Sequence, residues 1–181
     1  MIPPGGAGPV LPNVLGPDLA IIFCGSAVGR KSAAAAAYYA APGNRFWATL
    51  YEVGLTPRWL DPREYHRVIE YGIGLTDLAK YRSGSDRDLR ASDDDVAALR
   101  EKVRAWAPFA LAFNGKRAGR RVLGPTVGYG PQRERVGGSY TFVLPSTSGA
   151  ARRYWNIAEW RALATLVADR LASRRGGPAD P

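Results

Sequence analysis

The chain has 181 residues, of which 46% are hydrophobic, and this length suits a single domain around one sizeable core. Its net charge is +9, and twelve basic against four acidic residues lie beyond residue 110, so a polyanionic partner would meet the C-terminal part first. One Cys and one His exclude a disulfide framework, a Cys-ligated iron–sulfur cluster and a zinc site built on several such ligands.

The two ends of the chain differ in composition from the middle. Pro and Gly dominate residues 1–17, which predicts a flexible arm, and residues 174–181 are expected to be a frayed tail. Residues 18–173 are expected to form the single domain. No apolar run is long enough to span a bilayer, and no basic region precedes an apolar one at the N-terminus. We therefore expect a cytoplasmic protein without a membrane partner.

Short apolar runs rich in β-forming residues alternate with segments of helical period. In chain order, the pattern predicts a strand at 19–24, helices at 44–53 and 62–71, a strand at 72–78, a helix at 92–106, a strand at 109–113, a helix at 116–123, a strand at 140–144 and a helix at 156–173. This alternation predicts an α/β fold, a three-layer sandwich whose central, mostly parallel four-stranded sheet is flanked by helices. Ligands of such sheets bind outside the carboxyl ends of the strands, which selects the loops 25–44, 77–91, 114–118 and 145–153.

The first of these loops begins with small residues, from Gly25 to Gly29. They would let a ligand approach the backbone, whose N–H groups could hold an anion or a carbonyl oxygen. The run is not GxGxxG, which argues against a nucleotide-binding Rossmann-like enzyme, and an ordinary strand-to-helix turn is the alternative. The same loop carries Tyr38 and Tyr39, and an aromatic ring at a pocket mouth is a natural platform for a base.

Four short motifs then occur in a fixed order: FCG at 23–25, PGNRFW at 42–47, FNGK at 113–116 and LPSTSGA at 144–150. Together they resemble the mismatch-specific uracil and thymine DNA glycosylases of the uracil-DNA glycosylase superfamily. The resemblance covers roughly residues 18–170. It implies a monomeric, monofunctional DNA repair enzyme, without metal or cofactor, that flips uracil or another deaminated or mismatched base out of DNA and hydrolyses its N-glycosidic bond. The implied partner is uracil-containing double-stranded DNA, with single-stranded DNA as a further candidate.

The first motif departs from the family at its chemically important position. The family carries a catalytic Asn or Asp two residues after the glycine, where this chain has Ala27. A methyl group can neither orient a water nor stabilise a cationic sugar. Asp77, at the exit of the second predicted strand, is the candidate replacement, because a carboxylate there could do both. The alternatives are a turn or helix-cap role for Asp77 and a catalytically silent module that only binds DNA lesions.

The resemblance also implies which residues surround the base and the DNA. Tyr39 aligns with the aromatic residue that stacks on the extruded base. The implied base pocket consists of Gly25, Ser26, Ala27, Tyr39, Asn44 and Thr76.

The implied DNA contacts lie on three loops and comprise Arg30, Lys31, Lys116, Ser146, Ser148, Gly149, Ala150, Arg152 and Arg153. Ser146 and Ser148 could bond phosphate oxygens, while Ala150 would lie near the position that wedges into the duplex, a task that Arg152, Arg153 or Tyr154 could share. The basic helix start at Lys116, with Arg117, Arg120 and Arg121, suits backbone contact, and a solvated face is the alternative.

Overall fold

The computed structural model describes residues 8–175, with side chains through residue 173. Its strands are β1 (Ile21–Gly25), β2 (Ile73–Asp77), β3 (Ala110–Asn114), β4 (Gly130–Pro131) and β5 (Tyr140–Leu144). They form one sheet in the order β2-β1-β3-β5-β4, in which only β4 is antiparallel to its neighbour among the described strands. The α/β class and the mostly parallel sheet are confirmed. The sheet has five strands rather than the predicted four, because a two-residue Gly-Pro strand is too short to show a period.

The described helices are α1 (Arg30–Ala34), α2 (Phe46–Glu52), α3 (Val96–Trp106), α4 (Lys116–Leu123) and α5 (Ala158–Arg175), with 3₁₀ helices at Pro62–Tyr71, Ala91–Asp93 and Gly149–Tyr154. Helix α1 is absent from the predicted elements because five residues are too few to show a helical period. Helix α3 begins later than predicted, since Asp95 rather than Ser92 caps it by accepting a 2.8 Å hydrogen bond from the Ala98 N–H.

Helices cover both faces of the sheet. Helices α2 and α5 pack on one face, where the Phe23 ring of β1 lies 5.3 Å from Phe46 and 5.5 Å from Trp160. Helices α3 and α4 pack on the other face, against residues such as Leu111 and Phe113 of β3. Strands β1, β2 and β3 are buried along their whole length, as expected for parallel strands between two helical layers. Their carboxyl ends therefore open at one edge of a rigid core.

Part of the predicted flexible arm is ordered against this sheet. The backbones of Val14 and Leu75 exchange hydrogen bonds of 2.9 and 2.8 Å, the Val10 N–H donates to the Lys80 carbonyl, and Leu11 is buried. The prediction of an arm is therefore wrong for residues 10–14, because apolar side chains between the prolines pack along the edge of β2. Residues 1–7 and 176–181 lie outside the described residues, whereas 174 and 175 belong to α5. Within the described chain, no helix combines the length and apolarity needed to cross a membrane.

Candidate active site

Strands β1 and β2 end side by side, with Gly25 paired to Asp77. A Cβ on Gly25 would lie 2.8 Å from Oδ1 of Asp77 and 3.3 Å from the Tyr39 hydroxyl oxygen. The first distance is shorter than real Cβ contacts, so the glycine is needed here for its missing side chain. Three of the predicted site residues therefore meet at one point of the carboxyl edge.

The loop that follows Gly25 is fastened to the segment that follows Asp77. The N–H groups of Leu78 and Ala79 donate to the carbonyl oxygens of Gly25 and Ser26 at 2.9 and 2.8 Å. Ser26 is buried and Ala27 is half-buried. This arrangement fixes the backbone beside Asp77, but Ala27 brings no polar side chain to it.

The Asp77 side chain is only 2% exposed and has a cationic neighbour. The Lys80 ammonium lies 3.4 Å from Oδ2 of Asp77 and 2.5 Å from the Tyr38 hydroxyl. Burial raises the pKa of Asp77, and the charge of Lys80 and the Tyr38 hydroxyl oppose that rise. Burial likewise lowers the pKa of Lys80, and the charge of Asp77 opposes it. The charges of Asp77 and Lys80 thus stabilise each other in a site that is largely shielded from solvent.

Tyr39 lies over this cluster in a strained conformation. Its φ is +54°, a left-handed value that bulky residues rarely adopt. One face of its ring stacks on Phe46, with centroids 3.9 Å apart, so the opposite face is the one that a base could contact. Its hydroxyl is buried without a hydrogen-bond partner among the described residues, and burial raises its pKa, so the hydroxyl stays neutral.

Asn114, at the carboxyl end of β3, joins two of the motif loops. Its Nδ2 donates to Oγ1 of Thr147 at 2.9 Å, and its Oδ1 accepts from the Thr147 N–H at 3.0 Å. The Thr147 carbonyl in turn accepts from the Arg45 N–H at 2.9 Å. The FNGK motif therefore holds the loop at 145–148 in place, next to the PGNRFW turn.

Two residues predicted for the base pocket have partners elsewhere in the protein. Oδ1 of Asn44 accepts from the Phe46 N–H at 3.0 Å and so satisfies the start of α2. Thr76 is fully buried, and its hydroxyl donates to Oδ1 of Asn13 at 2.8 Å. Because successive strand residues point to opposite faces, the side chains of Thr76 and Asp77 diverge. Neither Asn44 nor Thr76 joins the cluster around Asp77 through these bonds.

The predicted DNA loop at 145–153 contains most of the 3₁₀ helix Gly149–Tyr154. The Ser148 side chain caps it by accepting from the Ala150 N–H at 3.3 Å, and Ser146 accepts from the Ser148 N–H. Ser148, Ala150, Arg152 and Arg153 are exposed, and Tyr154 is 67% exposed. Gly149 packs against the carbonyl of Gly43, and Arg152 lies beside that same glycine. The loop thus presents polar and aromatic groups to solvent on a supported backbone.

The other predicted DNA contacts lie at the starts of α1 and α4. Arg30 forms an exposed 3.2 Å ion pair with Asp88, and Lys31 is exposed on α1. The Lys116 ammonium lies 4.2 Å from the centre of the Tyr129 ring. Arg117 and Arg121 differ from the expectation of a free basic face, because both bind the buried carboxylate of Asp94.

Sequence reasoning predicted Gly25 and Tyr39 for the site but missed other residues that surround Asp77. Lys80 received no role, Tyr38 was considered only as an aromatic platform for a base, and Asn114 was named only as part of a motif. A sequence signal exists for Lys80, because it follows Asp77 by three residues just beyond a strand end. Nothing in the local sequence shows that Tyr38, 42 residues earlier, meets it.

Comparison with known proteins shows the family to which the chain belongs. A family model described as the uracil DNA glycosylase superfamily matches residues 12–166. The chain is also similar to the solution NMR structure of a "putative Uracil DNA glycosylase" from Methanosarcina acetivorans, with 26% sequence identity and a TM-score of 0.61 over 87% of this chain and 96% of that one. The family model spans most of the chain and includes the Gly25–Asp77 junction, the PGNRFW turn and the loop at 145–154. The chain belongs to the uracil DNA glycosylase superfamily.

Proposed function

We propose that this protein is a monofunctional, mismatch-specific uracil-DNA glycosylase in which Asp77 replaces the polar residue missing at Ala27. The observation that carries the proposal is the placement of a buried carboxylate at the carboxyl end of β2, with one oxygen directly against Gly25 of the first motif. A carboxylate in that position is adjacent to the place from which the family's catalytic side chain would come. The superfamily membership supplies the reaction class.

The reaction needs a water activated on one side of the sugar and a stabilised leaving group on the other. We propose that Asp77 accepts the proton of a water that attacks the sugar's anomeric carbon, while the bond from that carbon to the base nitrogen breaks. The negative carboxylate also stabilises the oxocarbenium-like sugar of the transition state. In this scheme Asp77 acts through the water and not by direct contact with the base.

Base flipping is the second element of the proposal. The free face of Tyr39 would stack on the extruded base, and such contacts contribute about 1–3 kcal/mol. The supported loop with Ser146, Ser148 and Arg153 would press on the DNA backbone at the lesion.

The second candidate is a module that binds DNA lesions without cleaving them. Ala27 favours it, because the first motif brings no polar side chain to the reaction centre. The buried charge at Asp77 favours the enzyme. A module that only binds would gain nothing from keeping an acid in a dry site, where the charge is costly.

Base release from defined duplexes distinguishes the two candidates. Purified protein is incubated in the presence of a chelator with one of three substrates: a duplex with one uracil opposite G, a duplex with one uracil opposite A, or the corresponding single strand. The DNA is then treated with alkali, which cleaves abasic sites. We expect strand scission at the uracil, no scission of a matched thymine control, and no covalent adduct after borohydride. Tight binding without scission would support the lesion-binding module, and a borohydride-trapped adduct would contradict the monofunctional assignment.

A further inference from the structure

We propose that Lys80 is a positioning residue of the same reaction, which holds the Asp77 carboxylate in place through one oxygen and leaves the other free for water. This inference rests on the proposed function, since it describes how that site works. Lys80 itself does not contact the substrate in this scheme.

The first argument is the direction of the Lys80 side chain. Lysine usually carries its ammonium to solvent along a flexible stem, but Lys80 is only 6% exposed. Its ammonium is turned inward, 2.5 Å from the Tyr38 hydroxyl and 5.1 Å from the centre of that ring. A buried ammonium is retained only when paired, and its anionic neighbour is Asp77.

The second argument is that the two carboxylate oxygens of Asp77 have different neighbours. Oδ2 of Asp77 lies 3.4 Å from the Lys80 ammonium, whereas Oδ1 faces the Cα of Gly25. The ammonium therefore restrains the carboxyl group through Oδ2. Oδ1 is not held by Lys80, so its lone pairs are left for the water of the proposed reaction.

The third argument is charge. An isolated anion at Asp77 would repel the negative charge that grows on the departing uracil. The Asp77–Lys80 pair is neutral overall, so it can stabilise a nearby cationic sugar while opposing the leaving group less. A lysine paired in this way is also a poor nucleophile, which agrees with the expected absence of a borohydride adduct.

The other titratable groups around Asp77 do not replace this role. Tyr38, Tyr39 and Cys24 are kept neutral, because burial raises the pKa of each. Lys102, on α3, also favours the ionised form of Asp77, but its effect is smaller than that of Lys80. Removing the charge of Lys80 should therefore raise the pKa of Asp77 further and leave more of it protonated at neutral pH.

The test compares Lys80→Met with the parent in single-turnover cleavage of uracil-containing duplex across pH 5 to 9. Since the active form of Asp77 is the ionised one, a higher pKa of Asp77 moves the acid limb of the pH–rate profile to higher pH. We expect the acid limb of Lys80→Met to rise by at least about one pH unit and cleavage at neutral pH to fall at least about tenfold, with partial recovery as pH increases. An unchanged acid limb in folded Lys80→Met would overturn the proposal.

Two further measurements keep the inference independent of folding and of activity. Tyr38→Phe removes the hydroxyl while leaving the ammonium, and it should shift the acid limb in the same direction by less than Lys80→Met does. NMR titration of the Asp77 carboxyl should give a higher pKa in Lys80→Met than in the parent, even if the parent releases no uracil. A pKa shift without uracil release would refute the proposed function alone, and uracil release with no pKa shift would refute the role of Lys80 alone.

Discussion

Asp77 and Asp94 are both buried acids that bind cations, yet their surroundings differ. The side chain of Asp94 is fully buried, and Arg117 binds it through two contacts of 2.9 Å while Nε of Arg121 adds a third of 2.8 Å. Asp77 has one lysine, at 3.4 Å from one oxygen. The guanidinium groups of the first site are planar forks that match a carboxylate, whereas the second site has a single point charge.

This difference suits Asp94 to a structural role and Asp77 to the proposed catalytic role. Both oxygens of Asp94 are taken by arginines, and the cluster ties the segment before α3 to α4. Oδ1 of Asp77 lies directly against Gly25, which has no side chain and so offers it no side-chain donor. A carboxylate can accept several hydrogen bonds, so the less saturated of the two is the one that can take a proton from water.

The largest expected effect is on the chemistry at Asp77. Asp77→Asn keeps the size of the side chain and deletes its charge, so single-turnover cleavage of uracil-containing duplex should fall by about 10²–10⁴-fold. Binding to undamaged duplex, measured by fluorescence anisotropy, should stay the same because Asp77 is buried. If Asp77→Asn cleaves as fast as the parent, the relocated carboxylate is not the catalytic group.

Tyr39→Ala should give the next largest loss. Removing a stacking contact of about 1–3 kcal/mol corresponds to roughly 5–150-fold slower cleavage. Tyr39→Phe is the matched control, since it keeps the ring and removes only a hydroxyl that has no hydrogen-bond partner among the described residues. We expect it to remain close to the parent in single-turnover assays. Near-normal cleavage by Tyr39→Ala would limit Tyr39 to packing on Phe46.

Asp94→Ala should affect stability instead of chemistry. It leaves two arginines without their anion, but Arg121 is 40% exposed and can return to water, so the free energy of unfolding should fall by only about 1–3 kcal/mol. Urea denaturation measures this loss, and cleavage per folded molecule should be unchanged. A specific loss of cleavage in a stable Asp94→Ala protein would remove the distinction between the two acids.

The smallest effect should come from single exposed cations on the DNA loop. Arg153→Ala should lower the slope of log affinity against log salt concentration for undamaged duplex by about one, because one phosphate contact is lost. Arg104, an exposed arginine at the end of α3 and remote from the carboxyl edge, provides the matched control. Equal slopes for Arg153→Ala and the parent would place the DNA away from this loop.

Local patterns were enough to predict four of the five strands and the position of Asp77 at a strand end. The continuous apolar runs of β1 to β3 reflect burial on both faces, and α4 and β5 have the predicted bounds. Asp77 was predictable because a strand end in a parallel sheet faces the ligand edge. The inward orientation of the Lys80 side chain was not predictable, since it depends on Tyr38 from another loop. The packing of residues 10–14 depends on the edge of β2, which their own composition does not show.

The same N-terminal segment has a consequence for how the molecule behaves in concentrated solution. β2 is an outer strand of the sheet, and a strand with unpaired N–H and C=O groups invites pairing with another chain. Val14 uses both backbone groups of Leu75, and Val10 uses the carbonyl of Lys80 just beyond it. At the opposite side, the sheet ends in a two-residue strand that contains Pro131, which has no N–H to offer. Both edges of the sheet are thereby protected against edge-to-edge aggregation. An N-terminal truncation that removes Val14 would expose the edge of β2.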